Sequence, residues 1–299
     1  MKKIINKLVY LRPLFGLAGF IIFNSYFIGF LKGIYTGNNK RFCAPFINCH
    51  SCPSATFACP AGLIQHYLSY HHLFKIWLIP KFVIGTLVLI ALIAGKAICG
   101  WICPFGTIQT LLYRLKSVKI PLSPKLHFIK YVVFIGLVIY LPVLLGAPWF
   151  CKLCPVGSLE AGVPLISFGT GSVQLREIAG NLFSIKLAFL SLFLLWSVFS
   201  KRPFCRLFCP IGTIYSLFNK FSLLEVKVDD DKCIHCGKCK KLCPIENEAP
   251  LAARSVDCFL CGECVRICPT DAVKYGFRYS DLIIPRSLKP NDKQKPNKA

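Results

Sequence analysis

The sequence CIHCGKCKKLCP runs from Cys233 to Pro244, and CFLCGECVRICP runs from Cys258 to Pro269. Each stretch has the spacing C-x2-C-x2-C-x3-C-P, which is the cysteine pattern of bacterial two-cluster ferredoxins. Zinc sites usually pair two C-x2-C units across a longer gap, so they explain three closely spaced cysteines less well. The pattern therefore predicts two [4Fe-4S] clusters and a role in electron transfer.

In such a pattern the fourth cysteine of each run ligates the other cluster. The first cluster is expected to take Cys233, Cys236, Cys239 and Cys268. The second cluster is expected to take Cys258, Cys261, Cys264 and Cys243. Cluster ligands must remain reduced, so this region is expected to face the cytoplasm.

The composition indicates a membrane protein with a soluble tail. The chain has 299 residues, of which 55% are hydrophobic, and its mean hydropathy is +0.56. The formal charge of +23 would ordinarily suggest nucleic acid binding. The basic residues flank long apolar blocks, however, as lipid headgroup contacts and the positive-inside rule require. The expected partner is therefore the lipid bilayer and not nucleic acid.

The apolar blocks predict an α-helical membrane unit with four transmembrane helices. The expected spans are Leu14 to Leu31, Ile76 to Ile98, Tyr131 to Phe150 and Phe183 to Phe199. Lys81 and Lys96 lie near the ends of the second span, where lysine stems snorkel to the interface. Ala161 to Leu175 is short and rich in glycine, so it is expected to be interfacial or re-entrant. Four spans with an internal ferredoxin put both termini in the cytoplasm.

One short phrase, C-P-x-G-x-[IL], occurs four times in the membrane unit. It reads CPAGLIQ from Cys59, CPFGTIQ from Cys103, CPVGSLE from Cys154 and CPIGTIY from Cys209. The copies alternate between the outer and inner faces of the predicted topology, which indicates a tandem repeat of a two-span unit. Proline suits the first position of a helix, so each phrase is expected to open an interfacial helix. A cysteine at a helix start is suited to an anionic ligand.

Two C-x3-C-P pairs place four cysteines on the predicted inner face. They are Cys99, Cys103, Cys205 and Cys209, which we call the inner quartet. Four thiolates match the requirement of a third cluster or another metal. A redox-active thiol pair and a simple packing role remain alternatives.

The predicted outer face carries six further cysteines. They are Cys43, Cys49, Cys52 and Cys59 in the first loop, with Cys151 and Cys154 in the second. Disulfides and a metal or cluster site explain them equally well. The candidate ligands of such an outer site are Cys52, Cys59, Cys151 and Cys154, because they belong to the repeated phrases.

Other motifs give weaker indications or none. His66 and His71 follow Cys59 on a predicted interfacial helix, where they could bind a quinone headgroup or form part of an aromatic interface belt. There is no C-x-x-C-H motif for covalent haem and no nucleotide-binding glycine motif.

The sequence divides into four expected parts. Residues 1–116 form the first two-span unit, residues 117–222 the second, residues 223–280 an α+β ferredoxin domain, and residues 281–299 a basic disordered tail.

With these spans, the C-x3-C-P pairs at Cys99 and Cys205 and the doublet from Cys233, the chain resembles NapH-type membrane polyferredoxins. These are quinol dehydrogenase subunits of periplasmic nitrate reductase systems, similar to the membrane core of the nitrous oxide reductase regulator family. The resemblance covers roughly residues 10–275 and includes the outer run from Asn48 to Gly62. It implies [4Fe-4S] clusters, an inner membrane location, and electron exchange with quinone and a partner redox protein.

The expected function is therefore an electron relay between the quinone pool and a redox partner, as a subunit of an oxidoreductase system. A metalloenzyme maturation factor that handles a metal such as copper is the first alternative, and a thiol-based redox sensor is the second.

Overall fold

A computed structural model describes residues 2–70, 78–168, 180–243, 245 and 255–278. The first half contains the helices α1 (Lys2–Phe23), α2 (Gly29–Lys32), α3 (Pro60–Ser69), α4 (Leu78–Ala94), α5 (Ala97–Trp101) and α6 (Pro104–Tyr113). Next come α7 (Ile129–Val133), a π-helical segment (Phe134–Tyr140), α8 (Leu141–Leu145), α9 (Trp149–Leu153), α10 (Pro155–Gly157), a second π-helical segment (Ser158–Gly162) and α11 (Val163–Phe168). The remainder comprises α12 (Gly180–Phe199), α13 (Pro203–Leu207), α14 (Pro210–Phe218), β1 (Leu224–Val228), α15 (Lys238–Leu242), α16 (Glu263–Ile267) and β2 (Val273–Phe277). Short 3-10 turns cover Asn38–Arg41 and Pro124–Phe128.

Three helical stretches in the described part of the chain are long and apolar enough to cross a membrane. They are Ile5–Phe23, Leu126–Leu145 and Gly180–Phe199. At the second predicted span the structure has the shorter apolar helix α4. This helix ends at Ala94, just before Gly95, where φ is +55°. The predicted start of that span, Ile76, lies outside the described residues.

The first span lies earlier in the sequence than predicted. Helix α1 extends from Lys2 to Phe23, whereas the apolar run had suggested Leu14 to Leu31. The chain turns after Phe23 because Asn24 is fully buried and its Nδ2 donates a hydrogen bond to Asn48 Oδ1 at 3.0 Å. A buried amide holds that position more strongly than hydropathy alone indicates.

The third and fourth spans also differ from their predicted limits. The third ends at Leu145, before the predicted Phe150, because Gly146 adopts a left-handed conformation with φ of +59°. The fourth, α12, begins at Gly180, before the predicted Phe183. It ends at Phe199, as predicted. The shorter apolar stretch is helical through Phe168, and its remainder lies outside the described residues.

All four repeated phrases open helices at their proline, as predicted. Helices α3, α6, α10 and α14 begin at Pro60, Pro104, Pro155 and Pro210. Their first turns are buried in one hydrophobic core. The core contains six cysteines of the repeats, which are Cys59, Cys99, Cys103, Cys154, Cys205 and Cys209. The repeats therefore form the centre of the membrane unit.

The cysteine-rich C-terminal region has a two-stranded antiparallel sheet in which Val226 pairs with Tyr275. Its two cysteine runs share one backbone conformation. His235 and Leu260, each two residues after the first cysteine of its run, have φ of 49° and 48°. Gly237 and Gly262 have φ of 68° and 77° and precede α15 and α16. Such left-handed positions turn successive backbone N–H groups toward one centre, as anion sites require.

Candidate iron–sulfur centres

The structure groups the eight cysteines of the C-terminal region into the two sets that the crossed pattern predicts. A cavity of about 90 Å³ is lined by Cys233, Cys236, Cys239 and Cys268. In the other set, burial and the neighbouring thiols of Cys261 and Cys243 together raise the pKa of Cys258 to about 12. The same two neighbours act on Cys264. Each set thus draws its fourth cysteine from the other run.

The inner quartet is buried where α5, α6, α13 and α14 begin or end. Burial and the neighbouring Cys205 thiol raise the pKa of Cys99 to about 12, although Lys96 and Arg202 oppose the shift. The pKa of Cys209 is raised by burial and then by Cys205, Cys99 and Cys103, so the four thiols lie within electrostatic reach of one another. Buried thiols of this kind become thiolates only when a cationic centre compensates their charge.

Hydrogen-bond donors surround the inner quartet. The Gly212 backbone N–H donates to Cys209 Sγ at 3.4 Å, and the Gly106 backbone makes the equivalent bond to Cys103. Gln109 Nε2 donates to Cys205 Sγ at 3.1 Å. Donors directed at sulfur are the means by which proteins stabilise and tune iron–sulfur clusters.

The described residues hold no group of three or more His, Cys, Asp or Glu side chains that would bind a single metal ion. A zinc ion requires sulfur ligands about 2.3 Å from one point, whereas the ligands of a cuboidal cluster each bind a different iron. The four thiols of the inner quartet match the number of ligands that a cuboidal cluster requires.

The predicted outer ligand set differs from the arrangement in the structure at one residue. A cavity of about 250 Å³ is lined by Cys49, Cys59, Cys151 and Cys154, which we call the second quartet. Cys52 does not line it, because its thiol donates to the Glu160 carbonyl at 3.0 Å and lies 3.1 Å from Ser54 Oγ. Spacing within the repeats favoured Cys52, but the turn after Asn48 brings Cys49 to the cavity instead.

All eighteen cysteines lie in the described part of the chain, and none of them forms a disulfide there. Cys43 lies outside both quartets, although its thiol is close enough to Cys59 for the two to interact electrostatically.

Arg202 joins the inner quartet to the second ferredoxin site. Its Nη1 donates to the Cys99 carbonyl at 2.7 Å, and its guanidinium lies over the Phe259 ring at 5.1 Å. Because Phe259 follows Cys258, the Arg202 side chain contacts residues of both sites. Trp101 Nε1 also donates to the Leu260 carbonyl at 2.9 Å. The cluster-binding loop therefore lies directly against the quartet.

A buried ion cluster around Asp257 fixes the same contact. Lys96 Nζ and His127 Nδ1 each lie 2.7 Å from an Asp257 carboxylate oxygen, and Lys130 forms a third bond. Burial alone would raise the pKa of Asp257, but Lys96, His127 and Lys130 together hold it well below its usual range. Arg206 Nη2 continues the network to His127 Nε2 at 2.8 Å.

Sequence reasoning missed this cluster and misplaced Lys96. The lysine was expected to snorkel to lipid, yet it is fully buried. Its pairing with Asp257 across a long sequence separation explains the difference, since no local pattern connects the two residues. Arg12 was missed in the same way, because its Nη1 donates to the Cys261 carbonyl at 3.2 Å. The available signal was a basic residue adjoining each apolar block.

Comparison with known proteins indicates iron–sulfur binding. The family described as a 4Fe-4S binding domain matches residues 76–123, 126–167 and 185–228, and the 4Fe-4S dicluster domain matches residues 225–269. An uncharacterized protein of Methanocaldococcus jannaschii is 30% identical over 212 residues, which are 68% of this chain and 80% of the relative. Ferredoxin-type protein NapH of Escherichia coli is 26% identical over 183 residues, covering 57% of this chain and 58% of NapH.

The chain belongs to the NapH-type family of ferredoxin-type membrane proteins. The putative electron transport protein YccM of Escherichia coli is also similar, with 27% identity over 183 residues, which are 57% of this chain and 48% of that protein. No solved structure matches. This NapH-type protein is thus an iron–sulfur electron-transport protein with apolar helices suited to a membrane.

Two further features of this NapH-type protein are the surroundings of His66 and a second cavity. His66 lies on α3 with its ring stacked on Tyr70 and edge-on to His50, with ring centroids 6.5 and 4.9 Å away. His71 lies outside the described residues. A larger cavity of about 450 Å³ lies between α1, α6 and α16, with basic and aromatic residues in its lining.

Proposed function

We propose that this protein relays electrons between the quinone pool and a redox partner protein through a series of [4Fe-4S] clusters. The observation that carries the proposal is the contact between the inner quartet and the second ferredoxin site. Arg202 touches both Cys99 and Phe259, so no separate domain movement is needed to bring the two sites together.

The proposed ligands comprise three sets. Two are the ferredoxin sets, Cys233, Cys236, Cys239 and Cys268, and Cys258, Cys261, Cys264 and Cys243. The third is the inner quartet, Cys99, Cys103, Cys205 and Cys209. Bound [4Fe-4S] clusters supply one-electron carriers at these positions.

The protein's own groups serve to hold and tune these carriers. Thiolates bind iron, and the N–H groups of Gly106, Gly212 and Gln109 donate to their sulfurs. Lys96 and Arg202 offset negative charge in a buried region where an uncompensated anion would be costly. The left-handed turns at Leu260 and Gly262 aim further backbone groups at the second ferredoxin site.

The 450 Å³ cavity is the site that we propose for the quinone headgroup. It is of a size typical of small-molecule sites. Tyr113 and Arg202 line it and can donate hydrogen bonds to quinone oxygens, while Val9 and Leu242 supply apolar surface. Its contact with Arg202 places it beside both the inner quartet and the ferredoxin region. His66 and His71 remain the alternative predicted from sequence.

We further infer four membrane crossings, with α4 as the second, an inner membrane location and both termini in the cytoplasm. Residues 223–280 would then form a two-cluster ferredoxin domain of α+β type on the cytoplasmic side. The antiparallel pair β1 and β2 and the repeated cysteine turns support that domain. The need of cluster ligands for reduced thiols favours the cytoplasmic side.

Anaerobic purification with iron and sulfide counts and EPR tests the proposal. Three bound clusters require about twelve irons per chain. Reduction of the EPR-visible clusters by a quinol analogue in membranes would support the relay. A full cluster content with no quinol-dependent reduction would contradict it. Tight copper binding at the cysteine pairs without quinol-dependent reduction would instead favour a maturation role.

A further inference from the structure

The repeated phrases share a feature beyond their cysteine, proline and glycine. The residue six positions after each repeat cysteine is polar and buried, although its identity varies. These residues are Gln65, Gln109, Glu160 and Tyr215, with exposed fractions of 0%, 0%, 9% and 0%. A buried polar side chain at the same position in four helices requires four partners.

Three of these side chains reach to a cysteine of a different repeat. Gln109 Nε2 donates to Cys205 Sγ in the inner quartet. In the second quartet, Glu160 Oε2 accepts the Cys49 backbone N–H at 2.8 Å, and Gln65 Oε1 accepts the Cys151 backbone N–H at 3.3 Å. In both quartets, therefore, a buried side chain of one repeat forms a hydrogen bond with a cysteine of another part of the chain.

The glycine of each phrase has an equivalent role at the two quartets. Backbone groups of Gly62 and Gly157 hydrogen-bond the sulfurs of Cys59 and Cys154, as Gly106 and Gly212 do in the inner quartet. A Cβ atom on Gly157 would lie 3.4 Å from Cys49 Sγ, in ordinary van der Waals contact. Cys49 therefore lies against the start of the Cys154 helix.

Gln65 has an unsatisfied donor at this site. Its amide nitrogen Nε2 is buried and has no hydrogen-bond partner among the described residues. The equivalent nitrogen of Gln109 donates to sulfur. A buried donor without an acceptor costs about 1–3 kcal/mol, so its presence indicates an acceptor that the protein atoms do not supply.

The cavity at the second quartet has four cysteines in its lining, and Gln65 accepts the backbone N–H of one of them, Cys151. Lys186 lines the same cavity and supplies a positive charge. As at the inner quartet, the described residues form no single-ion site here.

We propose that Cys49, Cys59, Cys151 and Cys154 bind a further [4Fe-4S] cluster, to which the Gln65 amide donates a hydrogen bond. The inference deepens the relay proposed above and rests on it. Glu160 is a positioning residue in this scheme, because it holds the backbone of Cys49.

The two quartets are connected through the core. Tyr215 is fully buried, and its hydroxyl donates to the Pro45 carbonyl at 2.5 Å, two residues from Cys43. Burial raises the pKa of Tyr215, as do Cys99 and Cys43, so the ring lies between the inner quartet and the first loop. Cys43 in turn lies near Cys59. One electron released at the second quartet can therefore be accepted at the inner quartet, and the reverse.

The full-length protein carrying Cys49→Ser or Cys151→Ser tests the proposal against a matched Cys52→Ser variant. Each of the first two variants should lose about four irons and four sulfides per chain, and Cys52→Ser should lose none. The ferredoxin EPR signals report whether each variant has folded. Equal iron in Cys49→Ser and wild type would overturn the proposal, as would a disulfide within the second quartet detected by mass spectrometry.

Gln65→Leu provides a test that keeps all four thiols. It should lower one midpoint potential in an EPR-monitored titration and leave the ferredoxin potentials unchanged. No shift in any potential would contradict the hydrogen bond. Quinol-dependent reduction of the ferredoxin clusters, measured in the same preparations, tests the relay separately, so the two proposals can fail independently.

Discussion

Lys96 Nζ lies 2.7 Å from Asp257 Oδ1. This contact joins the chain just beyond α4 to the residue before Cys258. Both side chains are almost completely buried. A buried ion pair is costly to break because the remaining charge lacks both water and a partner. The pair therefore fixes the ferredoxin region against the membrane unit.

Asp257→Asn should weaken that attachment. The substitution leaves Lys96 and Lys130 without a counter-charge, and loss of one partner from a buried pair costs about 3–5 kcal/mol. The thermal midpoint of the detergent-solubilised protein should fall. Asp229→Asn is the matched control, because Asp229 pairs with Lys232 at the surface and its removal should change the midpoint little. Equal midpoints for the two variants would show that the Asp257 cluster does not fix the domains.

Gly100→Ala should disturb the contact between the inner quartet and the second ferredoxin site. A Cβ atom at Gly100 would overlap the Phe259 carbonyl, whereas one at Gly85 would meet open space. Flash reduction followed by absorbance should show slower electron exchange in Gly100→Ala than in Gly85→Ala. The prediction fails if the two variants exchange electrons at the same rate.

Gln109→Leu should lower the midpoint potential of the carrier at the inner quartet. The amide N–H donated to Cys205 Sγ stabilises the more negative, reduced state. If the bond is worth about 1 kcal/mol more in that state, the decrease is about 40 mV for one electron. An EPR titration measures it, and the ferredoxin signals serve as the internal control. A potential that stays constant or rises would argue against a carrier at Cys205.

Arg202→Gln should lower the potentials at both the inner quartet and the second ferredoxin site. The guanidinium contributes positive charge to both, through Cys99 and Phe259. Arg114→Gln removes the same charge from an exposed position of the same cavity lining and should have little effect. A shift at only one site would show that Arg202 does not act on both.

Local patterns predicted much of the site and less of its assembly. The ferredoxin cysteines and the proline-initiated helices depend on spacing within a few residues, and the structure has them at the expected positions. Cys49 lines the cavity in place of the predicted Cys52, next to a buried contact between Asn24 and Asn48. Periodicity and hydropathy contain no information on such a pairing.

The limits of the helices also depend on contacts that local sequence patterns do not contain. Hydropathy located α12 correctly because its neighbours are polar or basic, but it placed the first span too late. Arg12 precedes the predicted span, which began at Leu14, yet it is buried inside α1 against the Cys261 carbonyl. Charged residues that bind another domain resemble charged residues that bind headgroups when only the sequence is read.

The most direct test of the relay is the rate at which a quinol analogue reduces the ferredoxin clusters in Cys205→Ser, compared with wild type, in anaerobic membranes. If the inner quartet carries electrons to the ferredoxin, reduction should slow at least tenfold while the ferredoxin EPR signals keep their full intensity after chemical reduction. An unchanged quinol-dependent rate in a variant that has lost the inner signal would contradict the account.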